Sequence, residues 1–136
     1  CREDAEEVVQ DTLLRALRSL GTFDERKASL RTWLWRIAWH EVVRYMERRN
    51  RHPQMVEMDE GMTVADAEEG DDERLTLLER AILRLSDEEQ MLLQLRYTDG
   101  LSLREIAYVT DAKPTTLAVR LQRIRERLRI IMSKMI

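Results

Sequence analysis

Apolar positions in the first third of the chain repeat at the spacing of an amphipathic helix. In residues 4–20 they recur every three or four positions, and Gly21 ends the pattern. A second stripe of the same period runs through residues 30–49, with Ser29 as its expected N-cap. The pattern predicts two helices, and we interpret residues 1–52 as one small domain.

Four further apolar stripes predict four helices in the domain formed by residues 74–136. The first is expected over residues 74–85, and the inner stripe of the last is Leu117, Leu121, Ile124, Leu128 and Ile131. Ser86 is followed by three acids, which is the arrangement of a helix N-cap with a favourable first turn. Residues 99–100 and 111–113 predict turns, and Pro114 suits the first position of the last helix. No β-strand is needed anywhere, so the expected fold class is all-α, with two small helical bundles.

Residues 53–73 have no clear period and join the two domains. From residue 50 to residue 73 there are nine acids against Arg51 alone, a net charge of −8. Like charges repel one another, so an acidic, flexible linker is expected here. Three methionines in it could dock elsewhere, although a solvated tether is the favoured interpretation.

Composition excludes several classes of function. The single cysteine, Cys1, cannot form an internal disulfide or a metal site, so no cofactor and no metal are expected in a protein of the reducing cytoplasm. No apolar run approaches the length needed to cross a bilayer, which argues against membrane insertion. The sequence offers no acid pair, phosphate loop or nucleophile with a base, so we expect no enzyme and no catalytic residues.

At the carboxyl end, the local charge differs in sign from the overall charge of the chain. Residues 113–136 carry seven basic residues against Glu126 alone, a net charge of +6 in a chain whose overall charge is −3. This local excess favours a nucleic-acid partner, which the overall charge does not.

A helix-turn-helix is predicted within residues 102–127. A short helix, a tight turn and a second helix follow one another, with Ala107 small enough for a close helix crossing. Asp111 stands in the turn, where glycine is usual, and Asp is among the few other residues that tolerate positive φ. The second helix would then lie in the major groove of DNA.

The opening of that second helix carries the chemistry of DNA recognition. Hydroxyls and free backbone amides at a helix start can hold a phosphate, and arginine is the usual bidentate reader of guanine. The alternative is that these side chains form only a solvated basic face on a core helix. The predicted DNA-binding residues are Ser102, Lys113, Thr115, Thr116, Arg120 and Arg123.

Three tryptophans lie within seven residues on the second predicted helix. Trp33 fits the apolar stripe, whereas Trp35 and Trp39 lie off its centre. Aromatic rings beside cations can stack on unpaired bases, although packing against a neighbouring helix explains any one ring equally well. The candidate DNA-binding residues of this helix are Trp35, Arg36, Trp39, His40 and Arg44.

Taken together, these segments resemble the extracytoplasmic-function (ECF) group of bacterial RNA polymerase sigma factors. Residues 4–16 are similar to region 2.2 of that family, and residues 30–38 to region 2.3, which continues into region 2.4 as far as Arg49. Motifs between Leu85 and Leu128 resemble region 4. Two motifs in this order are far more specific than either alone.

The resemblance implies a transcription initiation factor that redirects polymerase and makes no bonds itself. Its partners would be core RNA polymerase, bound through Gln10, Asp11 and Arg15, and promoter DNA. The second helix would bind the −10 element and the last helix the −35 element. Members of the family are commonly held inactive by an anti-sigma factor, which is a further expected partner.

The sequence also departs from the family. Trp39-His40 replaces a usual asparagine, Arg44 an acid and Ala118 a lysine, which leaves the promoter sequence open. The helices that precede region 2.2 in the family are absent, so Val8, Val9 and Leu13 are expected to lack part of their cover. Alternatives to a sigma factor are a helix-turn-helix regulator that does not recruit polymerase, and a module whose bundles clasp a partner protein.

Overall fold

The computed structural model describes residues 2–51 and 73–135, and within these ranges every regular element is helical. The predicted linker therefore lies almost wholly outside the described residues. The all-α prediction is confirmed. A 3₁₀ turn at Leu20–Thr22 follows the first helix, and a π-helical turn at Gln94–Thr98 follows the fourth. The helices are α1 (Arg2–Arg18), α2 (Leu30–Arg51), α3 (Glu73–Leu83), α4 (Asp87–Leu93), α5 (Leu103–Thr110) and α6 (Pro114–Met135).

The described residues fall into two compact units. The first unit comprises α1, α2 and residues 104–112, which hold most of α5. The second comprises α3, α4, the π-helical turn and α6.

In the first unit, α1 and α2 pack side by side in opposite directions. Asp4, at the start of α1, accepts a hydrogen bond of 2.7 Å from the hydroxyl of Tyr45, near the end of α2. At the opposite end, the Phe23 and Trp33 rings meet with their centroids 5.2 Å apart. Such tilted aromatic pairs add about 1 kcal/mol beyond the apolar area that they bury.

The predicted apolar stripe of α1 is only partly buried. Thr12 and Ala16 are buried, whereas Val9 is 57%, Leu13 55% and Leu17 72% exposed. The exposure of Val9 and Leu13 agrees with the expectation that they lack cover. Together with the opening turns of α2, they line an apolar groove whose floor includes Leu34.

The second unit buries a continuous leucine core. α3 and α4 both pack against α6, where Leu117, Leu121 and Ile124 of the predicted inner stripe are buried and Leu128 and Ile131 are half-buried. Leu92 of α4 and Leu95 of the π-helical turn complete the core, each 2% exposed. Each such side chain stabilises the fold by about 2 kcal/mol through burial.

Local capping signals set the element boundaries in the second unit. The Ser86 hydroxyl accepts from the Glu89 amide at 3.2 Å, and the Glu89 carboxylate accepts from the Ser86 amide at 3.0 Å, which completes a capping box. After the π-helical turn, Gly100 adopts a left-handed φ of +69°, and the Leu101 amide donates to the Leu95 carbonyl. The predicted cap and the predicted turn are therefore both confirmed.

Candidate DNA- and polymerase-binding surfaces

The segment between α5 and α6 has the geometry that the helix-turn-helix pattern predicts. Asp111 has a φ of 63°, in the left-handed region that few residues other than glycine adopt. The Thr110 hydroxyl donates to the Ile106 carbonyl at 2.9 Å and accepts from the Ala112 amide at 3.3 Å. These contacts fix the last turn of α5 before Pro114 begins α6.

The exposed face of α6 carries the residues predicted to contact DNA. Arg120 and Arg123 are exposed beside the buried stripe, on the side of α6 that borders α4. Thr115 and Thr116 are exposed in the first turn, where the amides of a helix have no carbonyl partner within the helix. Ser102 and Lys113, the other residues predicted to contact this DNA, are also exposed.

Acids of α4 lie against this basic face, which the sequence pattern does not reveal. Arg120 Nη1 is 3.5 Å from Glu88 Oε1, and Arg127 Nη1 is 2.7 Å from Glu89 Oε1. Burial alone raises the pKa of Glu89, but hydrogen bonds from Ser86 and the Arg127 guanidinium outweigh it and lower the pKa. Arginines of α6 are thus already paired before any DNA binds.

Arg36, which is predicted to contact the −10 element, is held by α5 and Asp111 in the first unit, and His40, predicted for the same element, lies beside Asp111. Arg36 donates to Asp111 Oδ1 at 2.6 Å and to the Tyr108 carbonyl, and its guanidinium lies 5.1 Å from the Tyr108 ring centroid. His40 Nε2 lies 3.3 Å from Asp111 Oδ2. Nearby, the Thr32 hydroxyl donates to Glu105 at 3.1 Å. The turn residue Asp111 is therefore an anchor for α2.

The pKa values of this contact follow from its charges. A hydrogen bond from Arg36 lowers the pKa of Asp111, outweighing the effect of burial. Burial lowers the pKa of His40, and the positive charges of Arg36 and Arg44 outweigh the opposing effects of Asp111 and Glu41. Together these effects favour the uncharged form of the His40 imidazole.

Trp39 lies off the centre of the predicted stripe of α2 but is buried, which agrees with the alternative that its ring packs against a neighbouring helix. Trp39 is 7% exposed, as buried as Trp33, whereas Trp35 is half-buried and lines the apolar groove. The reason is that α2 contacts α1 on one side and α5 on another. A single apolar stripe identifies only one of two such buried sides.

The residues predicted to bind polymerase lie along one side of α1, its outer side, which is open to solvent and borders α2. Gln10 is exposed, Asp11 is half-buried, and the Arg15 side chain is 52% exposed. Arg15 Nε forms an ion pair with Glu41 of α2, whose side chain is only 6% exposed. An open cavity of about 430 Å³ separates these helices on this side, and its polar lining is Asp11, Arg15, Arg18, Glu41, Arg44, Glu47, Arg48 and Arg51.

Within residues 2–51 and 73–135, no three His, Cys, Asp or Glu side chains lie close enough together to hold a metal ion. None of the described helices is both long enough and apolar enough to span a membrane.

Comparisons with known proteins cover both halves of the chain. The family model for sigma-70 region 2 matches residues 1–52, and that for sigma-70 region 4 matches residues 75–128. The ECF RNA polymerase sigma-E factors of Salmonella typhimurium LT2 and Escherichia coli K12 are each 31% identical over 137 residues, covering 90% of this chain and 71% of the relative. The RNA polymerase sigma-H factor of Pseudomonas aeruginosa is 30% identical, with coverages of 91% and 70%.

Two solved structures share the fold. The sigma factor RpoE from Bartonella quintana, solved in complex with the anti-sigma factor NepR, superposes with a TM-score of 0.72 at 24% identity, covering 96% of this chain and 82% of that one. CnrH, solved with the cytosolic domain of CnrY, gives 0.64 at 22% identity, with coverages of 98% and 74%.

An all-α chain that carries sigma-70 region 2 followed by region 4 is a transcription initiation factor that directs RNA polymerase to promoters. More particularly, the chain belongs to the ECF RNA polymerase sigma factors.

Proposed function

We propose that α6 reads the −35 element, that α2 reads the −10 element and that the outer side of α1 binds core polymerase. The observation that carries the proposal is the face of α6. Arg120 and Arg123 are exposed beside the buried stripe of Leu117, Leu121 and Ile124, on the helix that follows the left-handed turn at Asp111. That arrangement is the one with which a recognition helix enters the major groove.

At the −35 element, the two threonines and the two arginines would contact different parts of the DNA. Thr115 and Thr116 would hold a phosphate at the helix start, which fixes the register of α6 on the duplex. Arg120 and Arg123 would then reach base edges, where arginine binds guanine through two hydrogen bonds. Ser102 and Lys113 would add contacts to the DNA backbone. To bind DNA, Arg120 has to leave Glu88.

At the −10 element, Trp35 and Arg44 are the accessible members of the predicted set. The Arg44 side chain is 51% exposed, and Trp35 lines an open groove. Arg36 is held at Asp111, so its use on DNA requires that contact to break, and His40 is half-buried beside it. Trp39 would likewise have to leave the core before it could stack on a base.

The partners follow from the family. We infer that Gln10, Asp11 and Arg15 bind core polymerase, and that the chain makes and breaks no bonds itself. Because RpoE of Bartonella quintana was solved with an anti-sigma factor, a protein of that kind is the proposed inhibitor here. The bacterial cytoplasm, where polymerase acts, is the proposed location.

Run-off transcription with core polymerase tests the function. We expect promoter-dependent transcripts only when the protein is present, and a loss of transcripts from the double variant Arg120→Ala/Arg123→Ala. Arg129→Ala is the matched control, since Arg129 is an exposed arginine of the same helix outside the predicted set. DNA binding without transcripts would instead identify a helix-turn-helix regulator that does not recruit polymerase.

A further inference from the structure

Glu41 is a buried acid at the packing surface between α1 and α2. Its side chain is 6% exposed, although it belongs to a residue type that is rarely buried unless paired. The carboxylate oxygen Oε1 forms an ion pair with Arg15 Nε of α1 and accepts a hydrogen bond of 3.3 Å from Arg44 Nη1, three residues further along α2. One carboxylate therefore holds two guanidinium groups that come from two helices.

The pairing compensates the cost of burying this charge. A carboxylate taken out of water is strongly unfavourable unless it is paired and hydrogen-bonded, and both conditions are met here. The two arginines are themselves only half-buried, with 52% and 51% of their side chains exposed. Each thus has one part fixed on Glu41 and the rest available to a partner.

The two arginines have different predicted partners. Arg15 belongs to the set assigned to core polymerase, and Arg44 to the set assigned to the −10 element. A long side chain loses conformational freedom when it binds, and a side chain already held in one conformation loses less. An anchor shared by both arginines thus favours both binding events.

We propose that Glu41 is a positioning residue, which orients Arg15 towards core polymerase and Arg44 towards promoter DNA from a single carboxylate. Its burial keeps Glu41 itself away from both partners. The proposal rests on the proposed function, because it takes the partners of the two arginines from there.

Two double-mutant cycles test it. In the first, core polymerase binding is measured by fluorescence anisotropy for the wild type, Arg15→Ala, Glu41→Gln and the double variant. In the second, binding of a single-stranded −10 oligonucleotide by the assembled holoenzyme is measured for the wild type, Arg44→Ala, Glu41→Gln and that double variant. We expect each single variant to weaken binding by about 10-fold and each double variant to be no worse than its singles. Independent, multiplying losses in both cycles would overturn the proposal.

Controls separate positioning from a general loss of structure. Glu47→Gln makes the same charge change at an exposed position of the same helix, lining the same cavity, and should leave both affinities unchanged. The fluorescence of the three tryptophans, which all lie on α2 in the first unit, should be the same for Glu41→Gln as for the wild type, whereas a variant whose first unit is unfolded would lose the folded signal. If Glu41→Gln does not fold, Glu41→Asp keeps the charge, draws the carboxylate back by one methylene and enters the same cycles.

The outcomes also separate this proposal from the proposed function. If neither Arg15→Ala nor Arg44→Ala changes its own affinity, the assignment of binding surfaces is wrong. If both do and Glu41→Gln does not, the surfaces stand and the positioning role of Glu41 is refuted.

Discussion

The substitution Glu89→Gln separates the charge of one side chain from its hydrogen bond. Glu89 accepts from the Ser86 amide in the capping box and pairs with Arg127 of α6 at 2.7 Å. Glutamine keeps a carbonyl oxygen for the Ser86 amide but has no charge for Arg127. It also removes a negative charge from the first turn of α4, where an anion is favoured.

The expected cost is about 1 kcal/mol in the free energy of unfolding at neutral pH. Arg127 is 53% exposed, so water screens the ion pair and its contribution is about 0.5 kcal/mol. The charge at the helix start contributes about 0.5 kcal/mol more. Glu88→Gln is the matched control, since that acid is 53% exposed and its contact with Arg120 is 3.5 Å long, so its cost should be smaller.

The effect of pH identifies the source of this energy. Because the pKa of Glu89 in the folded protein lies below its ordinary value of 4.5, the stabilisation is fully present above that value. It is lost as the pH falls through the lowered pKa, when Glu89 becomes protonated and uncharged like glutamine. The wild type and Glu89→Gln should therefore differ at neutral pH and converge as the pH falls through the lowered pKa of Glu89.

Urea unfolding at a series of pH values, followed by circular dichroism, measures the difference. Tryptophan fluorescence serves as an internal control, because all three tryptophans lie on α2 in the first unit and should report no change. A difference that persists unchanged at the lowest pH would show that the charge of Glu89 is not its source.

Three further substitutions test other features. Asp111→Ala should lower the free energy of unfolding in urea by about 2 kcal/mol, because alanine is strained at a φ of 63° and cannot bind Arg36. Asp111→Asn should lower it less, because asparagine tolerates that φ. Equal losses from the two variants would refute the strain argument. Leu92→Ala should lower the free energy of unfolding by about 2–5 kcal/mol because of the cavity it leaves. Leu83→Ala, at a position that is 51% exposed, should lower it by less than about 1 kcal/mol in the same assay. Arg120→Ala should weaken promoter binding by about 1–3 kcal/mol, selectively at one base position; a uniform loss over a panel of substituted promoters would mean that it contacts only phosphate.

Features set by neighbours in the chain are predictable from the sequence. The capping box at Ser86, the positive φ of Asp111 and the start of α6 at Pro114 all agree with the prediction. Each depends on the conformational preferences of a few consecutive residues. Helix ends are predicted less closely, since α3 stops at Leu83, two residues before its expected end at Leu85.

Features that depend on contacts between distant residues are not predictable in this way. Arg36 and Asp111 are 75 positions apart, and no periodicity within one helix brings them together. The burial of Trp39 and Glu41 arises because α2 has neighbours on two sides. The family resemblance supplied candidate roles for Arg15 and Arg44, but not the carboxylate that joins them.

The ion pairs between α4 and α6 also bear on how the protein responds to ionic strength. When Arg127 moves from Glu89 to a DNA phosphate, the phosphate releases condensed counterions to the solution. The abandoned carboxylate then attracts cations of its own, so fewer ions are released in total. Promoter affinity should consequently fall less steeply with added salt than the number of phosphate contacts alone would require.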